Sequence, residues 1–192
     1  LQNVSEETAL NPEDPYAKSK LQCEEIIESV CHANEIEFVI IRPPLVYGPG
    51  VKANFLNLIR LVELKLPLPF SSIRNKRSMI YVDNLCRFIL LCVHSNNAKN
   101  EIFVIKDNDI STTHLVREIA KSLNKKVMMF AMPNILFKIL GLITFKAKMV
   151  DRLIESFSID AKKAFEKLNW VPEFSFEESI KTTVEWYKNT KS

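Results

Sequence analysis

The 192-residue sequence predicts an α/β fold, a mostly parallel sheet joined to a smaller, mostly helical lobe. Three observations carry that expectation. Short apolar runs alternate with helical patterns from residue 15 to residue 105, which calls for crossover connections between parallel strands. Beyond residue 105 the pattern turns helix-rich with little strand. The chain is 47% hydrophobic and 26% charged, ordinary for a globular protein long enough to bury a core. Two lobes built this way leave a cleft for a ligand between them.

Residues 1–14 are polar, carry Asn11-Pro12 and Asp14-Pro15 as turn signals, and read as a surface loop. From Pro15 to about Asn34, the residues Leu21, Ile26, Ile27 and Val30 recur at helical spacing, and Pro15 suits a helix start. The run from Glu37 to Arg42 reads as a buried strand closed by Pro43-Pro44, followed by a loop with Gly48-Pro49-Gly50. A helix over 53–63 comes next. Leu66-Pro67-Leu68-Pro69 cannot be a central strand, because each proline lacks a donor. Ser78–Val82 reads as a strand, with Asp83 as the N-cap of a helix to about Ser95. Glu101–Ile105 is a further strand, and Ser111 or Thr112 caps a helix through Leu123. Lys126–Met132 reads as a strand, and two apolar helices follow near 134–142 and 147–157. Asp160 caps a helix to Leu168, and a last helix spans about Phe176 to Lys188.

Composition removes several classes of function. The only glycines are Gly48, Gly50 and Gly141, too few and too scattered for a dinucleotide fingerprint or a phosphate-cradling P-loop. A net charge of +3, with Arg74, Lys76 and Arg77 as the densest basic cluster, argues against nucleic acid as a partner. Cys23, Cys31, Cys86 and Cys92 show no C-x-x-C spacing and the three histidines are isolated, so no metal site and no disulfide framework is expected. Reduced thiols point to the cytoplasm. Leu1 opens no basic segment followed by an apolar one, so no signal peptide is read. The run Ile135–Phe145 is broken by Lys138 and is too short for a membrane span of roughly 20 residues. It reads as a buried helix, with contact to a membrane surface as the lesser alternative.

The sharpest local pattern is Tyr16-Ala17-Lys18-Ser19-Lys20. Positions i and i+4 share one helix face, so Lys20 would lie beside Tyr16. An ammonium there stabilises phenolate and suits the tyrosine to proton transfer. Spacing alone is weak evidence, because surface lysines fall at i+4 often. Tyr187 and Lys191 repeat it in what reads as a polar, fraying C-terminus.

Context sharpens the pattern. Pro15-Tyr16-Ala17-Lys18-Ser19-Lys20, after the acidic loop Glu6-Glu7-Thr8 and Asn11-Pro12, resembles the extended short-chain dehydrogenase/reductase family, which includes the NAD-dependent nucleotide-sugar epimerases, dehydratases and reductases. Three further segments agree in order: Ile41 to Gly50 with the strand and loop under the nicotinamide, Arg77 to Leu85 with an Arg…Val-x-Asp segment, and Leu168-Asn169-Trp170-Val171-Pro172 with Leu-Gly-Trp-x-Pro. Asn169 departs where glycine is usual. The resemblance covers the whole chain but only the C-terminal part of the family's length. It implies that the glycine-rich loop, and the Ser or Thr that partners the catalytic tyrosine, lie upstream of residue 1. The chain is thus expected to be the C-terminal part of a Rossmann-type enzyme, inactive alone. Residues 1–47 and 78–106 would belong to the NAD(P)-binding domain, and 48–77 and 107–192 to a nucleotide-sugar domain.

The resemblance also implies roles. Tyr16 would be the acid/base on a sugar hydroxyl, Lys20 would hold the nicotinamide ribose, and Pro43 and Val46 would wall the nicotinamide. Asn54, at a helix start, would contact the substrate diphosphate, with a plain helix cap as the alternative. Arg77 would grip phosphate with its planar fork, and Arg152 would be a second clamp or a surface residue. Lys65–Phe70 would read the nucleobase through backbone groups. The implied cofactor is NAD, with NADP also admitted, and the implied partner is a UDP-sugar. A homodimer through the Tyr16-bearing helix is a further implication. The expected reaction is C4 epimerisation of a UDP-hexose or UDP-N-acetylhexosamine in surface-polysaccharide synthesis. Reduction or dehydration within the same family is the alternative, and a non-catalytic truncated remnant is the rival from another class.

Overall fold

The structure, a computed structural model, describes residues 3–143 and 147–191, without the side chains at 140, 147–149 and 152. After β1 (Asn3–Val4), helix α1 (Pro15–Ala33) begins where the Asp14 side chain accepts the Ala17 N–H at 2.7 Å and Pro15 fills the first turn. None of its residues is buried. Strands β2 (Val39–Arg42) and β3 (Leu45–Tyr47) are separated by the prolines, and α2 (Ala53–Glu63) leads to β4 (Arg77–Tyr81) and α3 (Val82–His94). Then come β5 (Glu101–Val104), β6 (Asn108–Ile110) and α4 (Thr112–Ser122), the last capped by the Ser111 hydroxyl. The chain continues with α5 (Asn134–Ile143), α6 (Ala147–Ile154), β7 (Ser158–Ile159), α7 (Lys162–Leu168) and α8 (Phe176–Asn189).

The pairing is mostly parallel. β2 runs beside β5 with Val39 opposite Glu101, β3 beside β4 with Tyr47 opposite Tyr81, and β1 beside β7 with Asn3 opposite Ser158. β6 is the exception, lying antiparallel to β4 with Ile110 opposite Arg77. The alternation of strand and helix up to residue 105 is therefore what the sequence predicts, including the right-hand boundary of β5 to within one residue.

Two apolar clusters hold these elements. In the first, Ile59 and Val62 of α2, Val116 and Ile119 of α4, and Ile180 and Val184 of α8 interlock at almost no exposure. In the second, the Phe88 ring of α3 meets Phe103 of β5 and Trp170 edge-on, at centroid distances of 5.6 and 5.2 Å. Phe88 is fully buried, and its truncation to alanine would cost about 3–5 kcal/mol. Trp170 reaches that position because Asn169 adopts a left-handed φ of 50°, where its N–H closes on the Phe165 carbonyl at 2.8 Å. Asparagine is the residue besides glycine that tolerates this conformation best, so the departure at Asn169 leaves the turn intact. Gly48 is stricter. Its φ is +148°, and an added Cβ would stand 2.4 Å from Val82 Cγ1. Asn84, fully buried, donates to the Phe174 carbonyl and accepts from Glu173 and Phe174 N–H, tying α3 to the start of α8.

Several expectations need correction. The N-terminal loop contains β1, and β3, β6 and β7 were not expected at all; strands of two or three residues are too short to display a period of two. Lys126–Met132 forms no strand, only a bridge between Leu68 and Met129, though exposure alternates from Lys126 to Phe130. Asp83 is not a cap: α3 starts at Val82, one residue earlier, and Asp83 sits in the first turn, where a carboxylate still suits the helix dipole. Asp160 is not the N-cap of α7 either: Ala161 holds that position without a side-chain hydrogen bond, although Asp160 accepts the Lys162 N–H at 3.1 Å. The apolar helix α5 is not buried. Phe137 stacks on Phe70, but Ile135, Leu136, Ile139, Leu142 and Ile143 are exposed. Among the described residues, no helix is long and apolar enough to cross a membrane.

Candidate active site

The cap at Asp14 fixes where α1 begins and so which way Tyr16 and Lys20 face. Lys20 Nζ lies 5.5 Å from the Tyr16 ring centroid, and Tyr16 is 71% exposed. The predicted pair is therefore together on one open helix face. Arg42, the last residue of β2, forks onto Glu24 of α1 with Nε and Nη2 at 3.0 and 2.6 Å from one carboxylate oxygen. This anchors the Tyr16 helix to the carboxyl end of the parallel pair β2–β5. Pro43 follows that end directly and is exposed, while Val46 on β3 is half-buried opposite Ile80.

A second constellation lies in a cavity of about 380 Å³ between α2, α4 and β4. Asn54 and Arg77 both line it, with Asn57, Phe70, Thr112 and Leu153 among the other walls. Its walls are largely apolar with a few polar groups, as small-molecule sites usually are. Asn54 is not a helix cap. Lys52 occupies that position without any side-chain hydrogen bond, which leaves the α2 amides at the cavity side uncapped by a side chain. Ala53 beside it has a φ of +51°, a strained setting for a residue with a Cβ. Arg77 opens β4 and is half-buried, with Phe157 bridged to it on one side and Ile110 paired on the other. Arg152 falls on α6, and its side chain lies outside the described residues. Tyr16 and Lys20 do not line this cavity.

Sequence reasoning missed Asn57 and Thr112. Asn57 was within reach, since it lies three residues after Asn54 on the same face of α2. Thr112 carried no signal, because β6 brings it there. The Lys65–Phe70 stretch supplies Phe70 to the wall, and part of its backbone is engaged. Leu68 N–H donates to the Met128 carbonyl and Leu68 accepts from Phe130 N–H, while the Phe70 carbonyl accepts the Thr113 hydroxyl. The Lys65 N–H also donates, to the Val62 carbonyl at 3.3 Å.

Tyr187, the residue with the decoy spacing, is not in a fraying end. It is 3% exposed, and its hydroxyl donates to Glu63 Oε2 at 2.6 Å beside Lys191 on the same carboxylate. Burial and the Glu63 charge raise its pKa, which opposes proton transfer near neutrality. Elsewhere burial pushes Tyr47 upward, Tyr81 up to about 12 and Asp107 up to about 6. Asp107 Oδ2 accepts the Tyr81 N–H at 2.6 Å, while its Oδ1 is buried without a partner among the described residues. The four cysteines are free thiols.

This architecture is a Rossmann-type α/β fold of the kind seen in sugar-nucleotide epimerases and dehydratases. The UDP-glucuronic acid 4-epimerase of Bacillus cereus, solved with NAD, superposes with a TM-score of 0.76 at 20% identity, covering 100% of this chain and 57% of that one. The family model described as NAD dependent epimerase/dehydratase matches residues 2–105. The chain belongs to that family. A UDP-glucose 4-epimerase of Vibrio cholerae is 40% identical over 176 residues, 91% of this chain and 54% of its own length. An Escherichia coli O157:H7 protein named N-acetyl-alpha-D-glucosaminyl-diphospho-ditrans,octacis-undecaprenol 4-epimerase is 31% identical over 129 residues, 64% of this chain and 39% of its own length. The chain spans about half the length of the first curated relatives it matches.

Proposed function

We propose that the protein, in its complete form, is an NAD-dependent epimerase acting at C4 of a UDP-hexose or UDP-N-acetylhexosamine. The observation that carries this reading is the exposed Tyr16 with Lys20 one turn away, on a helix anchored beside the carboxyl ends of parallel strands. In sheets of this kind nucleotides bind outside those ends. The residues present fit a nicotinamide: an exposed Pro43 immediately after β2, an open Tyr16 hydroxyl and a lysine for the ribose. NAD fits the family description better than NADP. When bound, the nicotinamide supplies the hydride acceptor.

Tyr16 takes the proton from the sugar 4-hydroxyl as C4 loses its hydride, and returns it when the hydride comes back to the other face. Lys20 holds the ribose and keeps a positive charge near the Tyr16 oxygen. Asn54 and Arg77 hold the diphosphate, with the uncapped α2 amides adding donors. Arg152 serves as a second clamp. Residues 1–47 and 78–106 form the cofactor side and residues 48–77 and 107–192 the sugar-nucleotide side. Exposed Ile26, Ile27 and Val30 offer a homodimer an apolar face on α1.

The test is to incubate the complete protein with UDP-galactose and with UDP-N-acetylgalactosamine and to follow the C4 epimers by NMR. Epimer formation that Tyr16→Phe lowers by about 10²–10⁴ in kcat supports the reading. Stoichiometric consumption of NAD(P)H would mean a reductase instead, loss of water a dehydratase, and no turnover of either sugar nucleotide a binding role.

A further inference from the structure

The solvent side of α5 is apolar. Phe137 and Gly141 face inward, while Ile135, Ile139, Leu142 and Ile143 look out, Leu142 and Ile143 at 68% exposure each. On a surface helix the outward arc is normally charged. The segment leading into α5 repeats the inversion: exposure alternates from Lys126 to Phe130, and Lys126, Met128 and Phe130 are the exposed positions. Phe130 is tied back to Leu68 by a backbone hydrogen bond of 3.0 Å, so its placement is fixed by the fold.

Charge along this stretch of the sequence is one-sided. From residue 119 to residue 150 the sequence holds six lysines and neither aspartate nor glutamate, in a chain whose overall balance is only +3. Lys138 of α5 pairs with Glu155 at 3.7 Å while both remain exposed, and the adjoining α6 carries Asp151, half-buried. Exposed large aliphatic side chains in a lysine-rich stretch of sequence without acids match a bilayer surface, where alkyl groups enter the headgroup boundary and ammonium groups meet lipid phosphates. A second copy of the chain would gain from the apolar groups but would bring its own lysines against these.

We infer that residues 126–143 dock the protein on an anionic phospholipid surface, with α5 lying flat in the headgroup region. Phe137 stacks on Phe70, which lines the substrate cavity, so docking would set that cavity close to the lipid boundary. This goes beyond the catalytic reading and stands without it.

Vesicle sedimentation of the complete protein tests the inference. Vesicles of equal parts phosphatidylglycerol and phosphatidylethanolamine should carry the protein down, and vesicles of phosphatidylcholine alone should not. Raising NaCl to about 0.5 M should weaken the binding, because exposed charges are then screened. The double variant I139S/L142S should lose about tenfold or more in vesicle affinity, since two aliphatic groups no longer reach hydrocarbon. Lys126→Glu should weaken binding to the anionic vesicles alone. All these positions are exposed, and an unchanged melting temperature will separate lost docking from lost folding. Absence of wild-type binding, equal binding to both lipids, or undiminished binding by I139S/L142S would overturn the inference. So would a wild-type dimer that I139S/L142S converts to monomer without any vesicle binding, which would assign the face to a second copy.

Discussion

Arg42 at the end of β2 grips Glu24 in the middle of α1 through both Nε and Nη2, so the helix that carries Tyr16 is fastened to the strand that ends at Pro43. The two side chains are each about one-fifth exposed, 19% and 21%, which strengthens the pair relative to a surface ion pair. With no residue of α1 buried, this fork is a main determinant of where the Tyr16 hydroxyl stands relative to the sheet.

Glu24→Ala is therefore expected to lower kcat of the complete enzyme by about tenfold or more while changing sugar-nucleotide KM little, because misplacement by about 1 Å can cost up to 10²-fold. Glu24→Gln, which keeps an acceptor for one arm of the fork, should recover part of the loss. Steady-state kinetics on the three proteins decides it. Equal kcat in all three would mean that α1 is positioned by other contacts.

Two tyrosines with identical spacing should respond in opposite ways. Tyr16→Phe removes an exposed hydroxyl and should leave the melting temperature unchanged while catalysis collapses. Tyr187→Phe removes a buried donor to an ionised Glu63 and should cost about 1–3 kcal/mol of stability while kcat stays as it was. Thermal melts and kinetics on both variants check this. A catalytic loss at Tyr187 with Tyr16→Phe still active would exchange their roles.

The legible parts of this chain are those governed by local rules. Proline at the start of α1, serine ahead of α4 and the apolar spacing of α2 each act within one turn, so their helices stand within a residue or two of where the sequence puts them. β3 and β6 escaped because their existence depends on β4 lying between them. Asn108 and Asp109 look like turn residues until Met79 and Ser78 pair with them. The burial of α5 was misjudged for a related reason: an apolar composition gives the cost of exposure but not the neighbour that would relieve it. At the site, Tyr16 and Lys20 were readable because i and i+4 is a helical relation. That Asn54 of α2 and Arg77 of β4 line one cavity could be reached only through the family resemblance, since they stand on different elements with no local spacing to relate them.

Arg77 should hold the substrate diphosphate rather than the cofactor. It lines the cavity shared with Asn54, which Tyr16 and Lys20 do not line. A charge-assisted hydrogen bond contributes roughly 1.5–3 kcal/mol, so Arg77→Ala should weaken UDP-sugar binding by about 10- to 150-fold with NAD affinity nearly constant. Arg77→Lys should restore only part, because an ammonium lacks the planar fork. Calorimetric titration of both ligands measures this. Equal losses for both would indicate a folding defect, and no loss for the sugar nucleotide would move the clamp to Asn54 and Arg152.

Asp107 sets an expected pH dependence of stability. Burial raises its pKa from 3.8 to about 6, against the pull of Asn84 and of the Tyr81 N–H, and one carboxylate oxygen stays without a partner among the described residues. A raised folded-state pKa means that the folded protein binds this proton more tightly than the unfolded chain does. Its effect on stability is thus most favourable below about pH 4 and is lost as the pH rises through about 6, a loss of up to about 3 kcal/mol. Glu63, Glu101, Asp109 and Glu178 have lowered pKa values and act in the opposite sense, losing stability as the pH falls through their own, lower range. Comparing the wild type with Asp107→Asn isolates the one group, since asparagine keeps an acceptor for the Tyr81 N–H without the buried charge. Urea unfolding at about pH 4.5 and pH 7.5 should show the variant gaining on the wild type at the higher pH. Parallel stabilities at the two values would mean that water reaches the orphaned oxygen and that the carboxylate is charged at no cost.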